Sequence, residues 1–162
     1  MAKEVAVFAA GCFWGVEELI RKVPGVLSTE VGYCGGAEET ATYAQVKQGL
    51  TGHAEAVRVE FESDILTYES VIRLFFKLHD PTTLNSQGND IGTQYRSAIF
   101  YLNEIQKICA EKIIDELTRG KIFKDPIVTQ VVHLENFYSA EEYHQDYLQK
   151  NPQGYMCHYW RK

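Results

Sequence analysis

The chain has 162 residues, with 16 Lys and Arg against 22 Asp and Glu, a formal net charge of −6 and 45% hydrophobic residues. That length suits one domain with a proper core and excludes two full-sized ones. The acidic balance excludes a phosphate-neutralising surface, so no nucleic-acid partner is expected. Four cysteines in a chain this long are too few for a disulfide-stapled fold. They read instead as reduced thiols of a cytosolic protein, one or more of them reactive.

In chain order, Lys3 to Ala10 is a nearly unbroken apolar run ending at Gly11, the pattern of a buried strand. Phe13, Val16, Leu19, Ile20 and Val23 follow with helical spacing, and Pro24-Gly25 stops that helix. Val26 to Tyr33 is strand-like and closes on Gly35-Gly36, after which a loop-rich segment is punctuated by Gly49 and Gly52. Val57, Val59 and Phe61 alternate with charged residues, as in a half-buried strand. Thr67 is placed to cap a helix whose face includes Val71, Leu74, Phe75 and Leu78.

From His79 to Gln94 the chain is polar, broken by Pro and Gly, and long for a plain connection, which marks it as a functional loop. Tyr95 to Leu102 reads as a strand, and Asn103 as the cap of a helix with Ile105, Ile108, Cys109 and Leu117 inward. Ile127 to Leu134 is a further strand. Ser139-Ala-Glu-Glu142 has the form of a capping box opening a last helix to Lys150. Two successive βαβ units predict an α+β fold with a ferredoxin-like βαβ-βαβ core, extra helices and long loops. The expectation is a single domain over 1–162 with a short irregular tail over about 151–162.

The first twelve residues end in Ala-Ala-Gly-Cys, similar to a lipoprotein signal, but Glu4 interrupts the basic region and the apolar run Val5–Ala10 is too short. No stretch reaches the length of a membrane span; the best, Val71 to Leu78, contains Arg73 and Lys77. A cytoplasmic protein without membrane contact is expected.

The cysteines separate by setting. Cys12 lies where a strand runs through Gly11 into a helix, and a thiol at a helix N-terminus is stabilised as thiolate. Cys109 shares helical spacing with Ile105, Ile108 and Ile113, which is core packing. Cys34 at a strand end reads either way. Cys157, beyond Pro152 and Gly154, is as readily an incidental surface cysteine as a thiol carried by a movable tail. The cysteine and histidine spacings fit no zinc site, and each histidine reads as surface or structural. A Cys–His hydrolase built on Cys12 with His53 or His144 is a chemical alternative, as is a thiol-bearing binding module.

Gly11-Cys12-Phe13-Trp14-Gly15 followed by Glu17 resembles the signature of the A-type peptide methionine sulfoxide reductases. The resemblance continues through Gly32-Tyr33-Cys34-Gly35-Gly36, Thr42-Tyr43, Thr51-Gly52-His53-Ala54-Glu55 and His79-Asp80-Pro81-Thr82. It extends over Gln87 to Asp90, Gly92 to Ser97, Phe137-Tyr138, Ala140-Glu141, Tyr143-His144-Gln145, Asn151-Pro152 and Gly154-Tyr155, covering nearly the whole chain.

The resemblance implies thiol-dependent reduction of methionine S-sulfoxide, free or in proteins, without a cofactor, by a monomer. Cys12 matches the nucleophile and Glu55 the acid, which has to stay protonated in a desolvated pocket. Tyr43 and Tyr95 match the phenols that hold the sulfoxide oxygen, Asp90 a supporting carboxylate, and Phe13 and Trp14 the wall for the substrate methyl. A sulfenic acid on Cys12 would condense with a second thiol, and thioredoxin or another thiol would reopen the disulfide. The chain departs from the family at its tail, where Cys157 follows Gly154-Tyr155-Met156 one residue late, and at Ala41, which replaces the usual Pro. Cys157 is the expected resolving thiol and Cys34 the runner-up.

Overall fold

The computed structural model describes residues 2–161. The apolar run of β1 (Lys3–Ala10) is covered on both faces: Ala6, Phe8 and Ala10 enter one hydrophobic cluster, Val7 and Ala9 another. That split is the two-residue period of a strand acting on a continuous apolar sequence. β2 (Val26–Cys34), β3 (Ala54–Glu62), β6 (Ser97–Tyr101), β7 (Gln130–His133) and β8 (Phe137–Ser139) complete a six-stranded sheet ordered β7-β6-β1-β3-β2-β8. Every neighbouring pair is antiparallel except β6 and β7. β4 (Ser86–Gln87) and β5 (Asp90–Ile91) form a separate ladder inside the long polar loop, which a 3-10 turn at Thr93–Tyr95 closes.

α1 (Phe13–Ile20), the single turn α2 (Tyr43–Val46), α3 (Tyr68–Leu78) and α4 (Glu104–Arg119) contribute to the larger cluster, with Phe8, Phe13, Phe61 and Phe75 fully buried at its centre. Each such side chain contributes roughly 1.5–3 kcal/mol of transfer free energy. The second face is closed by small residues, among them Ala54, Ala56 and Ala98, with Phe100 and Cys34. The expected caps are present: Thr67 Oγ1 accepts from the Ser70 N–H (3.1 Å) and Asn103 Oδ1 from the Gln106 N–H (2.9 Å). No helix among the described residues is long and apolar enough to cross a membrane.

Two local expectations are overturned. α4 does not turn Ile105 and Ile108 inward; they are 80% and 59% exposed, while Gln106, Ala110 and Ile113 are buried and Cys109 and Leu117 pack alongside. The apolar spacing misled because a glutamine holds the middle of the buried face. Its amide donates to Val5 O (2.8 Å) and accepts from the Leu102 N–H (2.9 Å), so a polar residue is satisfied where sequence periodicity expects an aliphatic one.

The capping box from Ser139 to Glu142 does not open a helix. Ser139 ends β8 and its hydroxyl donates to Glu30, and a 3-10 turn at Glu142–His144 follows. Asp146 then takes φ +56°, and only α5 (Tyr147–Lys150) is helical. Tertiary bonds outweigh local propensity here. The Gln145 amide pairs with both Val31 N–H and Val31 O, extending the edge of β2, and Asp146 N–H donates to buried Glu17 while its carboxylate meets Arg21 at 2.9 Å.

Candidate active site

β1 ends where α1 begins. Gly11 at φ +97° makes the turn that leaves Cys12 in the N-cap position of α1, 8% exposed. β3 runs antiparallel beside β1, so its start lies nearby and brings in Glu55, whose Oε1 accepts the Phe13 backbone N–H at 3.2 Å. The two residues share a cavity of about 210 Å³ lined by Cys12, Phe13, Trp14, Tyr43, Glu55, Asp90, Tyr95 and Tyr155. All seven residues expected at the reacting centre are therefore together. Tyr155 is an addition that the sequence reading passed over, although it lies in the quoted Gly-Tyr pair of the tail.

Burial pushes the Glu55 carboxyl up to about 8; the Phe13 N–H opposes this and the Asp90 charge adds to it. The group therefore holds a proton at neutral pH, as its assigned part as an acid demands. Burial also raises the phenols of Tyr43 and Tyr95, and the Glu55 charge acts in the same direction, so both remain O–H donors.

Cys12 differs from expectation. Its thiol is held well above the ordinary range by burial and by Glu55, while the Trp14 backbone N–H pulls it down and is outweighed. One helix end returns less than removal from water costs, so at neutral pH Cys12 is a thiol rather than a thiolate.

The walls of the cavity are braced from the segment after β8. Glu141 uses one carboxylate oxygen to accept the Tyr33 O–H and the other to accept the Tyr43 N–H, each at 2.9 Å. Trp14 Nε1–H donates to Nδ1 of fully buried His144 at 2.9 Å, and Tyr147 stacks on the indole at 3.8 Å. Burial keeps His144 below the ordinary imidazole range, so that nitrogen is free to accept. Glu141 and His144 lie in stretches that carry the family resemblance, but nothing in their spacing announced these contacts.

A scan against family models matches residues 4–162 to the peptide methionine sulfoxide reductases. The methionine sulfoxide reductase MsrA of Methanosarcina acetivorans is 54% identical over 147 residues, 91% of this chain and 78% of that protein. Among solved structures, reduced Mxr1 of Saccharomyces cerevisiae superposes with a TM-score of 0.93 at 39% identity, covering 99% of this chain and 93% of the other. Mxr1 in complex with Trx2 superposes at 0.67 and 26% identity, covering 99% and 91%. The chain belongs to the peptide methionine sulfoxide reductase family. Its activity is that of the family, thiol-dependent reduction of methionine sulfoxide.

The other thiols of the reductase are unequally placed. Cys34 is 0% exposed on β2, where strand alternation puts its neighbour Tyr33 on the cavity side and Cys34 in the cluster on the opposite face. Burial pushes its thiol up to about 12. Cys109 is on α4, outside the cavity. Cys157 is half-buried, and its Sγ lies 3.7 Å from Asp90 Oδ2, which also accepts the Tyr155 O–H at 3.2 Å.

The tail reaches this position through a notch in α1. A Cβ on Gly15 would stand 2.5 Å from His158 Nδ1 and 3.0 Å from Met156 Sδ. Gly15→Ala suits a helix better by about 0.8–1 kcal/mol yet leaves no room for the tail. Iodoacetamide labelling of Cys157 in the reduced variant is expected to accelerate several-fold, and unchanged labelling would mean that the notch does not hold the tail.

Proposed function

We propose that the reductase acts on the S epimer of methionine sulfoxide, free or in proteins, with Cys12 as nucleophile and Glu55 as acid. The observation that carries this reading is the buried Glu55 carboxyl, pushed up to about 8 by that burial, sharing one cavity with Cys12, two phenols and an apolar wall.

The sulfoxide oxygen is received by the Tyr43 and Tyr95 hydroxyls and the Glu55 proton, which draw electron density from sulfur and prepare it for attack. Phe13 and Trp14 receive the S-methyl group. Oxygen and methyl on one sulfur need opposite surroundings, so fixing both selects the epimer. The substrate S–O bond breaks and a new one forms on Cys12. The substrate sulfur gains two electrons, Cys12 loses two, and Glu55 gives its proton to the transferred oxygen and regains the one released by the Cys12 thiol, giving methionine and a Cys12 sulfenic acid. Asp90 supports the network through Tyr155 and Cys157.

Cys157 resolves the sulfenic acid in this reading, since it shares the Asp90 carboxylate with the cavity, and Cys34 is set aside by its place on the other face of the sheet. The Trx2 complex of the yeast relative supports a thioredoxin as the reductant of the disulfide. We further read the strands β6-β1-β3-β2 with α1 and α3 as a ferredoxin-like unit within one catalytic domain, acting as a cytoplasmic monomer without cofactor; the antiparallel order of those four strands supports the first point.

A single experiment tests the reaction and the pairing together. One equivalent of mixed sulfoxide epimers is given to the reduced protein without reductant, the epimers are resolved, and the intact mass is taken. Only the S epimer is expected to disappear. Loss of two hydrogens is expected in wild type and in Cys34→Ser, and its absence in Cys157→Ser. Consumption of both epimers, or a disulfide that persists in Cys157→Ser, would sink the corresponding assignment.

A further inference from the structure

His158, one residue beyond the thiol assigned to resolution, is 5% exposed, and its ring fills the notch between Gly11 and Gly15. Its Nε2 lies 2.6 Å from the carbonyl oxygen of Ala10, two residues before Cys12. A carbonyl only accepts, so Nε2 carries the proton of the neutral ring and Nδ1 is left as a bare acceptor. That Nδ1 stands 3.5 Å from Cys157 Sγ. One backbone carbonyl thus fixes both the position of the ring and the tautomer that presents a base to the thiol.

We propose that His158 is the general base of disulfide formation, taking the Cys157 S–H proton at Nδ1 while its Nε2–H anchors the tail to the strand that leads into Cys12. The proposal rests on Cys157 being the resolving thiol. As Cys157 sulfur bonds to the sulfenic sulfur of Cys12, the S–O bond breaks and oxygen leaves as water. Cys157 is oxidised and the Cys12 sulfenic sulfur is reduced. The Cys157 proton passes to His158 and from there, by way of solvent, to the departing hydroxide, so the proton count is unchanged and no outside oxidant is needed.

The surroundings favour this use of the ring. Burial holds His158 below the ordinary imidazole range, with Ala10 O and Asp90 opposing and Arg161 assisting, so it is neutral and able to accept at pH 7. His79, at the end of α3, faces it as a second imidazole, and burial holds that ring at about 3, hence uncharged. Burial raises the Cys157 thiol, and the Asp90 charge opposes its ionisation further. Asp90 Oδ2 at 3.7 Å is the competing acceptor, but a carboxylate repels the thiolate, whereas a protonated His158 attracts it.

The test is a quenched single turnover with methionine S-sulfoxide across pH, in which dimedone traps the sulfenic acid and peptide mass maps the disulfide. His158→Gln keeps an amide N–H able to reach Ala10 O but offers no base. It is expected to accumulate sulfenic acid and to form the Cys12–Cys157 disulfide about 10²-fold more slowly. The wild-type rate is expected to fall as pH drops below neutral and His158 gains a proton. The variant should lack that limb and rise only with thiol ionisation.

Equal rates and equal pH profiles would overturn the proposal and leave His158 as an anchor alone. A disulfide mapped to any cysteine other than 157 would overturn the resolver assignment, and with it this proposal; the map shows that outcome and the rate does not. Alkylation of Cys157 in reduced wild type gives a reading that needs no variant. A second inflection where His158 titrates, beneath the raised one of the thiol itself, supports the pair, and a single simple thiol titration overturns it.

Discussion

Serine in place of Cys12 is expected to release no methionine above background in a single turnover, a loss of about 10⁴-fold or more. The reason is more than a weaker nucleophile. The reaction places the substrate oxygen on the attacking atom, and on a serine oxygen that would create an O–O bond, so the sulfenic pathway has no counterpart. The fold should not suffer. Cys12 occupies the N-cap of α1 without a side-chain cap bond, and serine is among the preferred residues there, better by about 1 kcal/mol than a non-capping side chain. A melting temperature at or above wild type, together with absent turnover, separates lost chemistry from lost structure. Retained turnover in Cys12→Ser would end the mechanism.

Glu55→Gln should cost about 10²–10³-fold in kcat/KM and change the shape of the pH profile. The reacting state has a proton on Glu55 and none on Cys12. Because kcat/KM reports the free enzyme, the wild-type profile is a bell. Its acid limb belongs to the first proton lost from the pair, near 8, and its alkaline limb to the second, above the ordinary thiol range. Glutamine leaves the Phe13 N–H its acceptor but removes one titration, so the alkaline decline should vanish and the rate should climb with Cys12 ionisation. A variant that keeps the bell would remove Glu55 from the acid role.

Stability gives an independent reading of the same carboxyl. Folded Glu55 retains a proton that the unfolded chain releases above about pH 4.5. Its raised value therefore destabilises the fold progressively as pH rises from about 4.5 to about 8, on the order of several kcal/mol in all. Glu55→Gln should flatten that part of the dependence, so the variant gains on wild type in melts at pH 8 compared with melts at pH 5.

Much of the chemistry was legible because the residues that carry it sit in local motifs. Gly11 to Gly15 places nucleophile, wall and notch within five positions, and strand alternation delivers Glu55 to the cavity side. What was hidden depends on partners far along the chain. Gln106 is buried because Val5 and Leu102 satisfy it, so apolar periodicity turned α4 too far toward Ile105. The break at Asp146 follows from Glu17 and Arg21, which no capping rule contains. Sequence offers His144 only as a base for Cys12 and Glu141 only as part of a capping box, and the folded chain instead lays them against Trp14 and Tyr43. The Cys12 thiol was misjudged for a related reason: a helix N-terminus can be read from sequence, but the depth at which it is buried cannot.

The hydrogen bond from His158 to Ala10 joins residues 148 positions apart, with every strand of the sheet after β1 enclosed between them. Contacts of such separation close the largest loops in the chain and gain nothing until the intervening strands have paired. Individual helices and hairpins can therefore form without creating a competent centre. Cys12 and the thiol proposed to resolve it are brought together across the sheet by the folded chain, which makes oxidation and recovery at Cys12 a property of the finished fold rather than of any segment.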